Sequence, residues 1–200
     1  MIEVEKKFTL TEEERERLLD SAELIAEKSF TDAYYDDEKY SLTTQDIWLR
    51  QRDGDWELKI PLHKGGADRI GDQYEELTTE IEIRNFLKIP KIENLESDLN
   101  QKGFSIFSKF TTGRKKYEKD GFTIDLDLVD FGDFKFEIGE IELMVNKHEE
   151  MGEALEKIKN FAKENGLQIT HVRGKVMEYL KRKRPEHFRK LVEANVAKDN

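Results

Sequence analysis

DIWLRQRDGDWELKIPL, residues 46–62, holds the pattern on which the fold turns. Trp48, Arg50 and Arg52 alternate with Ile47 and Leu49, and after Asp53-Gly54-Asp55 the alternation resumes, with Leu58 and Ile60 set against Glu57 and Lys59. Successive side chains of a strand point to opposite faces, so each arm has an apolar side and a charged side. An Asp-Gly pair between two such arms marks a tight hairpin, because glycine enters positive φ at little steric cost. The stretch predicts two antiparallel strands joined by a short turn.

The same rhythm recurs on both sides. IEVEKKF (2–8), FTDAYYD (30–36), DQYEELT (72–78), FSKFTTGRKKYEK (107–119), FTIDLDLV (122–129) and FEIGEIELMV (136–145) mix β-branched or aromatic residues with period-two charge. Asp120-Gly121 supplies a second hairpin signal. Helices are predicted around this core. Thr11 and Glu14 form a capping-box pattern ahead of a stripe of Leu18, Leu19, Ala22, Ile25 and Ala26. A helical insertion is predicted over 81–101, carrying Ile83, Phe86 and Leu87. Residues 151–166 place Ala154, Leu155, Ile158, Phe161 and Ala162 on one face and stop at Gly166. Two further helices are expected over 174–183 and 186–197, with stripes (Val176, Met177, Leu180; Phe188, Leu191, Val192) that cover the sheet. No Pro-, Gly- or Ser-rich linker interrupts the chain, which predicts a single α+β domain over residues 1–200.

The composition narrows the class. Against 34 Lys and Arg stand 44 Asp and Glu, a net charge of −10; 39% of residues are charged and 36% hydrophobic. Such polarity raises the question of disorder, but 12 Phe, 6 Tyr and 2 Trp supply enough aromatic area to fill a core. The apolar runs are too short for a membrane helix, and MIEVEKKF has no signal-peptide character. The expectation is a monomeric cytoplasmic protein that does not engage a membrane. The absence of cysteine excludes disulfides, thiol catalysis and thiolate metal sites. The acidic balance argues against nucleic acid, which needs a basic surface. The basic run 181–184 reads as the last turn of a helix stopped by Pro185, where cations suit the dipole. The loop 63–72, with Gly65, Gly66 and Gly71, lacks GKT or GKS and is no P-loop. His63, His148, His171 and His187 match no ligand spacing and read as surface residues, and Asp130 and Asp133 as turn residues.

The charges sort onto single strand faces. Glu3, Glu5 and Lys7 share one; Trp48, Arg50 and Arg52 another; Glu57 and Lys59, Asp125 and Asp127, and Glu140 and Glu142 follow. Two architectures fit: a sheet with one solvated charged face, or a barrel of about eight strands with the charge turned inward and helices on its apolar outside. Carboxylates spaced two apart converge on one spot, which suits a hard cation such as magnesium or manganese. Lys7, Arg50, Arg52, Lys59, Arg114 and Lys175 form the complementary basic set, suited to phosphate oxygens. Metal carboxylates together with several Arg and Lys point to a small-molecule polyphosphate.

Glu3-x-Glu5-x-Lys7 resembles the ExExK signature of the CYTH superfamily, the triphosphate tunnel metalloenzymes. WLRQR (48–52), WELK (56–59), YEELT (74–78), Arg114, DLD (125–127), GEIE (139–142) and Lys175 follow in the family's order. YYD (34–36), Trp48, DFG (130–132) and KVMEYL (175–180) resemble the animal thiamine triphosphatase branch. The resemblance implies an eight-stranded antiparallel β-barrel, the triphosphate tunnel, with helices packed outside. It further implies magnesium-dependent hydrolysis of thiamine triphosphate, with manganese as the other metal. Glu3, Glu5, Asp125, Asp127, Glu140 and Glu142 would then hold the metal. Lys7, Arg50, Arg52, Arg114 and Lys175 would bind the phosphates, and Glu76 would line the same site. Tyr34 and Lys59 match a Tyr–Lys dyad whose lysine helps generate the attacking hydroxide, and Trp48 would stack on the thiamine cation. The alternatives are an inorganic tripolyphosphatase, an adenylate cyclase of the same fold and a non-catalytic phosphate-binding module.

Overall fold

The computed structural model describes residues 2–62 and 74–199. Its strands are β1 (Ile2–Phe8), β2 (Glu23–Asp36), β3 (Trp48–Arg52), β4 (Asp55–Pro61), β5 (Tyr74–Leu77), β6 (Ser105–Lys119), β7 (Phe122–Asp130) and β8 (Lys135–Val145). Its helices are α1 (Glu12–Leu19), α2 (Glu80–Leu87), α3 (Leu95–Gln101), α4 (Met151–Glu164), α5 (Lys175–Lys183) and α6 (Pro185–Glu193). The strands join one sheet in the order β1-β8-β7-β6-β2-β3-β4-β5, and the registers along it are antiparallel. The eight antiparallel strands and the α+β class are those expected. Both hairpin turns form: Asp53 and Gly54 take φ of 49° and 101°, and Asp120 and Gly121 take 51° and 79°. Positive φ at both central residues gives the primed turn that matches strand twist. The loop 63–72, including His63, lies outside the described residues.

The chain divides into two compact units. Among the described residues, the first holds 2–29 and 111–175, and the second 30–62, 74–110 and 176–199. In the first, Val4 and Phe8 of β1, Ile124 of β7 and Ile141 of β8 turn to one side, where Leu155, Ile158, Phe161 and Ala162 of α4 cover them. The faces bearing Glu3, Glu5, Asp125, Glu140 and Glu142 are the opposite ones, as strand alternation requires. Each Ile or Leu buried there contributes about 1.5–3 kcal/mol.

In the second unit Ala33, Tyr35, Leu49 and Leu58 form the apolar sheet side, and Ile83 of α2 with Leu95 and Leu99 of α3 cover it. The predicted 81–101 insertion is thus two helices, each with its own start signal. Thr79 and Glu82 form a capping box at α2, and Asn94 caps α3. Phe86, expected in the insertion's apolar stripe, is exposed.

Four expectations change. Ile25 and Ala26 belong to β2, since α1 stops at Leu19 and Ser21 turns the chain at φ 61°. Asp46 is the left-handed exit of a 3-10 turn (Thr43–Gln45), so β3 begins at Trp48. The stripes of α5 and α6 do not lie on the apolar sheet side. Leu180, Phe188 and Leu191 cluster with Trp48, Tyr34 and Tyr74, and Trp48 and Tyr34 belong to the charged side that carries Arg50. His187, read as a surface residue, is buried: its ring stacks on Tyr40 at 3.9 Å and its Nε2 lies 2.7 Å from Thr43 Oγ1. The amphipathic period of α6 carries His187 inward beside Phe188. His148 and His171 are exposed.

Candidate active site

Register builds the first unit's polar face row by row. Lys7 pairs with Glu140, Glu140 with Asp125, and Asp125 with Lys116, across β1, β8, β7 and β6. Glu5 lies opposite Glu142, and Arg114 opposite Asp127. Two carboxylate triplets have ligand oxygens within 4.8 Å of one another: Glu3/Glu5/Glu142 and Asp125/Glu140/Glu142. Glu142 belongs to both.

Cations thread this face. Arg114 donates to both oxygens of Asp127, each at 2.7 Å, and to Glu140 at 2.8 Å, and it pairs with Asp125. Lys175, the first residue of α5, reaches Asp127 at 2.5 Å. Lys7 pairs with Glu5. Asp127 therefore stands outside both triplets, its oxygens taken by Arg114 and Lys175. Burial would raise the Asp127 carboxyl, but Arg114 and Lys175 outweigh it and hold it below the usual range. Glu140 is likewise held low, as Lys175, Lys7 and Arg114 outweigh its burial. Glu142 goes the other way. Burial, then the charges of Asp125 and Glu3, push it up to about 8, with Lys116 opposing.

The second unit's polar face is assembled the same way. Tyr34 lies opposite Arg50 and Arg50 opposite Glu57; beside them Trp48 lies opposite Lys59, and Lys59 opposite Glu76. Asp32, opposite Arg52, receives Arg52 Nε and Nη2 at 2.7 and 2.9 Å. Arg50 Nη2 donates to Glu57 at 2.9 Å, and Phe30 lies under the Arg52 guanidinium at 4.0 Å. Lys59 Nζ donates to Glu76 at 2.6 Å and stands 3.7 Å from Glu57. Burial pulls its amine down, yet Glu76 and Glu57 raise it above the ordinary lysine value, so it is an ammonium. Trp48 is 6% exposed, its Nε1 donating to Asp46 at 2.8 Å, and Tyr74 donates to the same oxygen at 2.9 Å. Tyr34 meets Trp48 edge-on at 6.4 Å and stacks on Phe110 at 5.9 Å. Among the described residues Tyr34 and Lys59 share no hydrogen bond.

Residues 1–173 match the CYTH domain. The chain belongs to the CYTH domain family. It is 32% identical over 219 residues to the thiamine-triphosphatase of Homo sapiens, a match covering 100% of this chain and 93% of that protein. The Macaca fascicularis thiamine-triphosphatase is also 32% identical, over 99% of this chain and 92% of its own length. Among solved structures, a Pyrococcus horikoshii protein superposes with a TM-score of 0.62 at 23% identity, covering 90% of this chain and 99% of that one, which shows a shared fold.

The first unit's face fits the hard divalent cation that the family signature implies. Its donors are carboxylates, and neither buried oxygen of Asp125 accepts a well-formed hydrogen bond although Arg114 and Lys116 stand at ion-pair distance. Sequence reasoning passed over three residues. Lys116 was legible as the i+2 neighbour of Arg114 on β6. Asp32, two before Tyr34, had the same signal. Asp46, outside any strand, had none.

Proposed function

We propose that this chain is a magnesium-dependent hydrolase that converts thiamine triphosphate to thiamine diphosphate and phosphate, acting as one catalytic domain over residues 1–200. The observation that carries the reading is the pair of carboxylate triplets interleaved with Lys7, Arg114 and Lys175, in a chain alike over its full length to thiamine triphosphatases.

Glu3, Glu5, Asp125, Glu140 and Glu142 would hold the ion, and Asp127 orients Arg114 and Lys175. A bound magnesium ion supplies Lewis-acid charge to phosphoryl oxygens. In the first unit we assign phosphate binding to Lys7, Arg114 and Lys175, and in the second unit, taken by itself, the family resemblance assigns it to Arg50 and Arg52. Guanidinium forks preset by Asp32 and Glu57 meet the triphosphate with little reorganisation. Attack by water on the terminal phosphorus releases a proton. In our reading the Lys59 ammonium, held by Glu76, and Tyr34 orient and polarise that water, and its proton passes to a phosphate oxygen or to solvent. Trp48, in its aromatic cluster, takes the thiamine cation. Among the described residues no helix is long and apolar enough to cross a membrane, and we place the enzyme in the cytoplasm as a monomer.

Phosphate release from thiamine triphosphate with and without magnesium tests the reading. Glu3→Gln and Lys59→Ala are expected to lose about 100-fold or more in kcat; wild-type rates in either variant remove that residue's role. The second reading, an inorganic tripolyphosphatase, draws on the burial of Trp48. Trp48→Phe separates the two. A raised KM for thiamine triphosphate with tripolyphosphate spared supports the first, and equal effects on both support the second.

A further inference from the structure

Two aromatic side chains from different strands end on one carboxylate oxygen. Asp46 Oδ1 accepts from Trp48 Nε1 at 2.8 Å and from the Tyr74 hydroxyl at 2.9 Å. Trp48 opens β3 and Tyr74 opens β5, so the contact reaches across β4. There Lys59 lies opposite Trp48, with its ammonium 6.0 Å from the centre of the Tyr74 ring. Asp46 and Trp48 are each buried. A buried indole N–H and a phenol O–H need partners, and one carboxylate shared by both holds the two rings in a single mutual arrangement.

The carboxylate is itself held. Asp46 takes the left-handed conformation, φ 62° and ψ 24°, at the exit of the 3-10 turn, and its N–H donates to the Thr43 carbonyl at 3.0 Å. Asp36 clamps that turn, accepting from the backbone N–H groups of Leu42 and Thr43 and from the Thr43 hydroxyl. Around the indole, Tyr34 packs edge-on at 6.4 Å, and Leu180, Phe188 and Leu191 belong to the same cluster. Apolar packing of this kind is non-directional. The hydrogen bond to Asp46 is what sets the direction in which the indole edge points.

We propose that Asp46 is a positioning residue for substrate specificity, orienting Trp48 and Tyr74 to receive the organic cation at the far end of the triphosphate. The proposal rests on the thiamine triphosphate reading above and adds the residue that sets its selectivity. A ring attracts a cation through its face, so an indole turned by one rotamer loses the stacking surface while still filling its space. Arg50 and Arg52 are held instead by Glu57 and Asp32. Loss of the Asp46 acceptor is therefore felt at the organic end of the substrate and spares the phosphate chain.

Asp46→Gly and Asp46→Asn test this, with the KM for thiamine triphosphate and the inhibition constant of tripolyphosphate measured for each in the presence of magnesium. Gly and Asn both accept a left-handed φ, so the turn survives in either variant. Gly removes the acceptor, whereas Asn keeps an acceptor oxygen. Asp46→Gly is expected to raise the KM for thiamine triphosphate about tenfold or more, with the tripolyphosphate constant within about twofold of wild type. Asp46→Asn is expected to return that KM to within about threefold of wild type. An unchanged KM in Asp46→Gly overturns the proposal, and so does an equal loss for both compounds or an Asp46→Asn as impaired as Asp46→Gly. A wild type that fails to hydrolyse thiamine triphosphate sinks the reading beneath it, which is a different result from an active wild type whose Asp46→Gly variant keeps its KM.

Discussion

Asp32 is fully buried on β2, takes two hydrogen bonds from Arg52 and lies 3.9 Å from Arg50. A carboxylate there fixes the plane of one guanidinium and the charge environment of both. Burying it without them would be costly, so the three residues form one device. Asp32→Asn keeps the shape but removes the charge and turns an amide hydrogen toward Arg52. We expect kcat/KM for the triphosphate to fall about 10- to 100-fold, mostly through KM, the size of losing hydrogen bonds to a charged group. Steady-state kinetics checks this; an unchanged KM would remove Asp32 from the binding apparatus. Asp46 acts similarly on Trp48 and Tyr74, both of which donate to its Oδ1.

At the scale of elements, α6 is docked through a buried polar chain. Asp36 Oδ2 accepts from Thr43 Oγ1 at 2.7 Å, and Thr43 Oγ1 meets His187 Nε2 at 2.7 Å. Tyr40 stacks on the imidazole and Phe107 meets it edge-on at 4.8 Å. Burial, then the neighbouring Arg184 charge, push His187 down to about 4 from an ordinary 6.5. The unfolded chain therefore takes up the proton first as pH falls. The stabilising contribution is complete above about pH 6.5 and drains away toward pH 4. Thermal melts across that window should show a steeper loss for the wild type than for His187→Phe, and parallel losses would disprove the assignment. A second buried polar contact ties α2 to α3. Arg84 donates to Asp98 at 2.7 Å and to the carbonyls of Pro90 and Glu93, satisfying a connection that offers few partners of its own.

At the scale of the whole molecule, charge is partitioned between faces and the CYTH match runs across both units, over residues 1–173. Burial, then the charges of Asp125 and Glu3, raise Glu142, and a cation among these carboxylates would offset that cost. An ion binding only the folded chain stabilises it by mass action. Magnesium at a hundredfold excess over its Kd should add about 2.7 kcal/mol of apparent stability. The gain should vanish with a chelator and in Glu142→Gln. Denaturant titrations with and without the ion measure it, and an identical midpoint in both would count against the metal site.

Much of this was readable from the chain. Hairpin signals at Asp53-Gly54 and Asp120-Gly121 and period-two charge located strands, and the capping box at Thr11 located α1, because these are local preferences of backbone and side chain. The ordered motifs from Glu3 to Lys175 named the candidate site residues through their resemblance to the CYTH signature. Register, packing and burial lay beyond local pattern. Only the folded sheet set Lys116 against Asp125 and Glu142, gave both oxygens of Asp127 to Arg114 and Lys175, and carried His187 into the interior. The sequence determined which residues share a face of each strand. The tertiary structure decided which pairs touch, because contact depends on register and on helices returning from distant segments, and neither is encoded in any single stretch of chain.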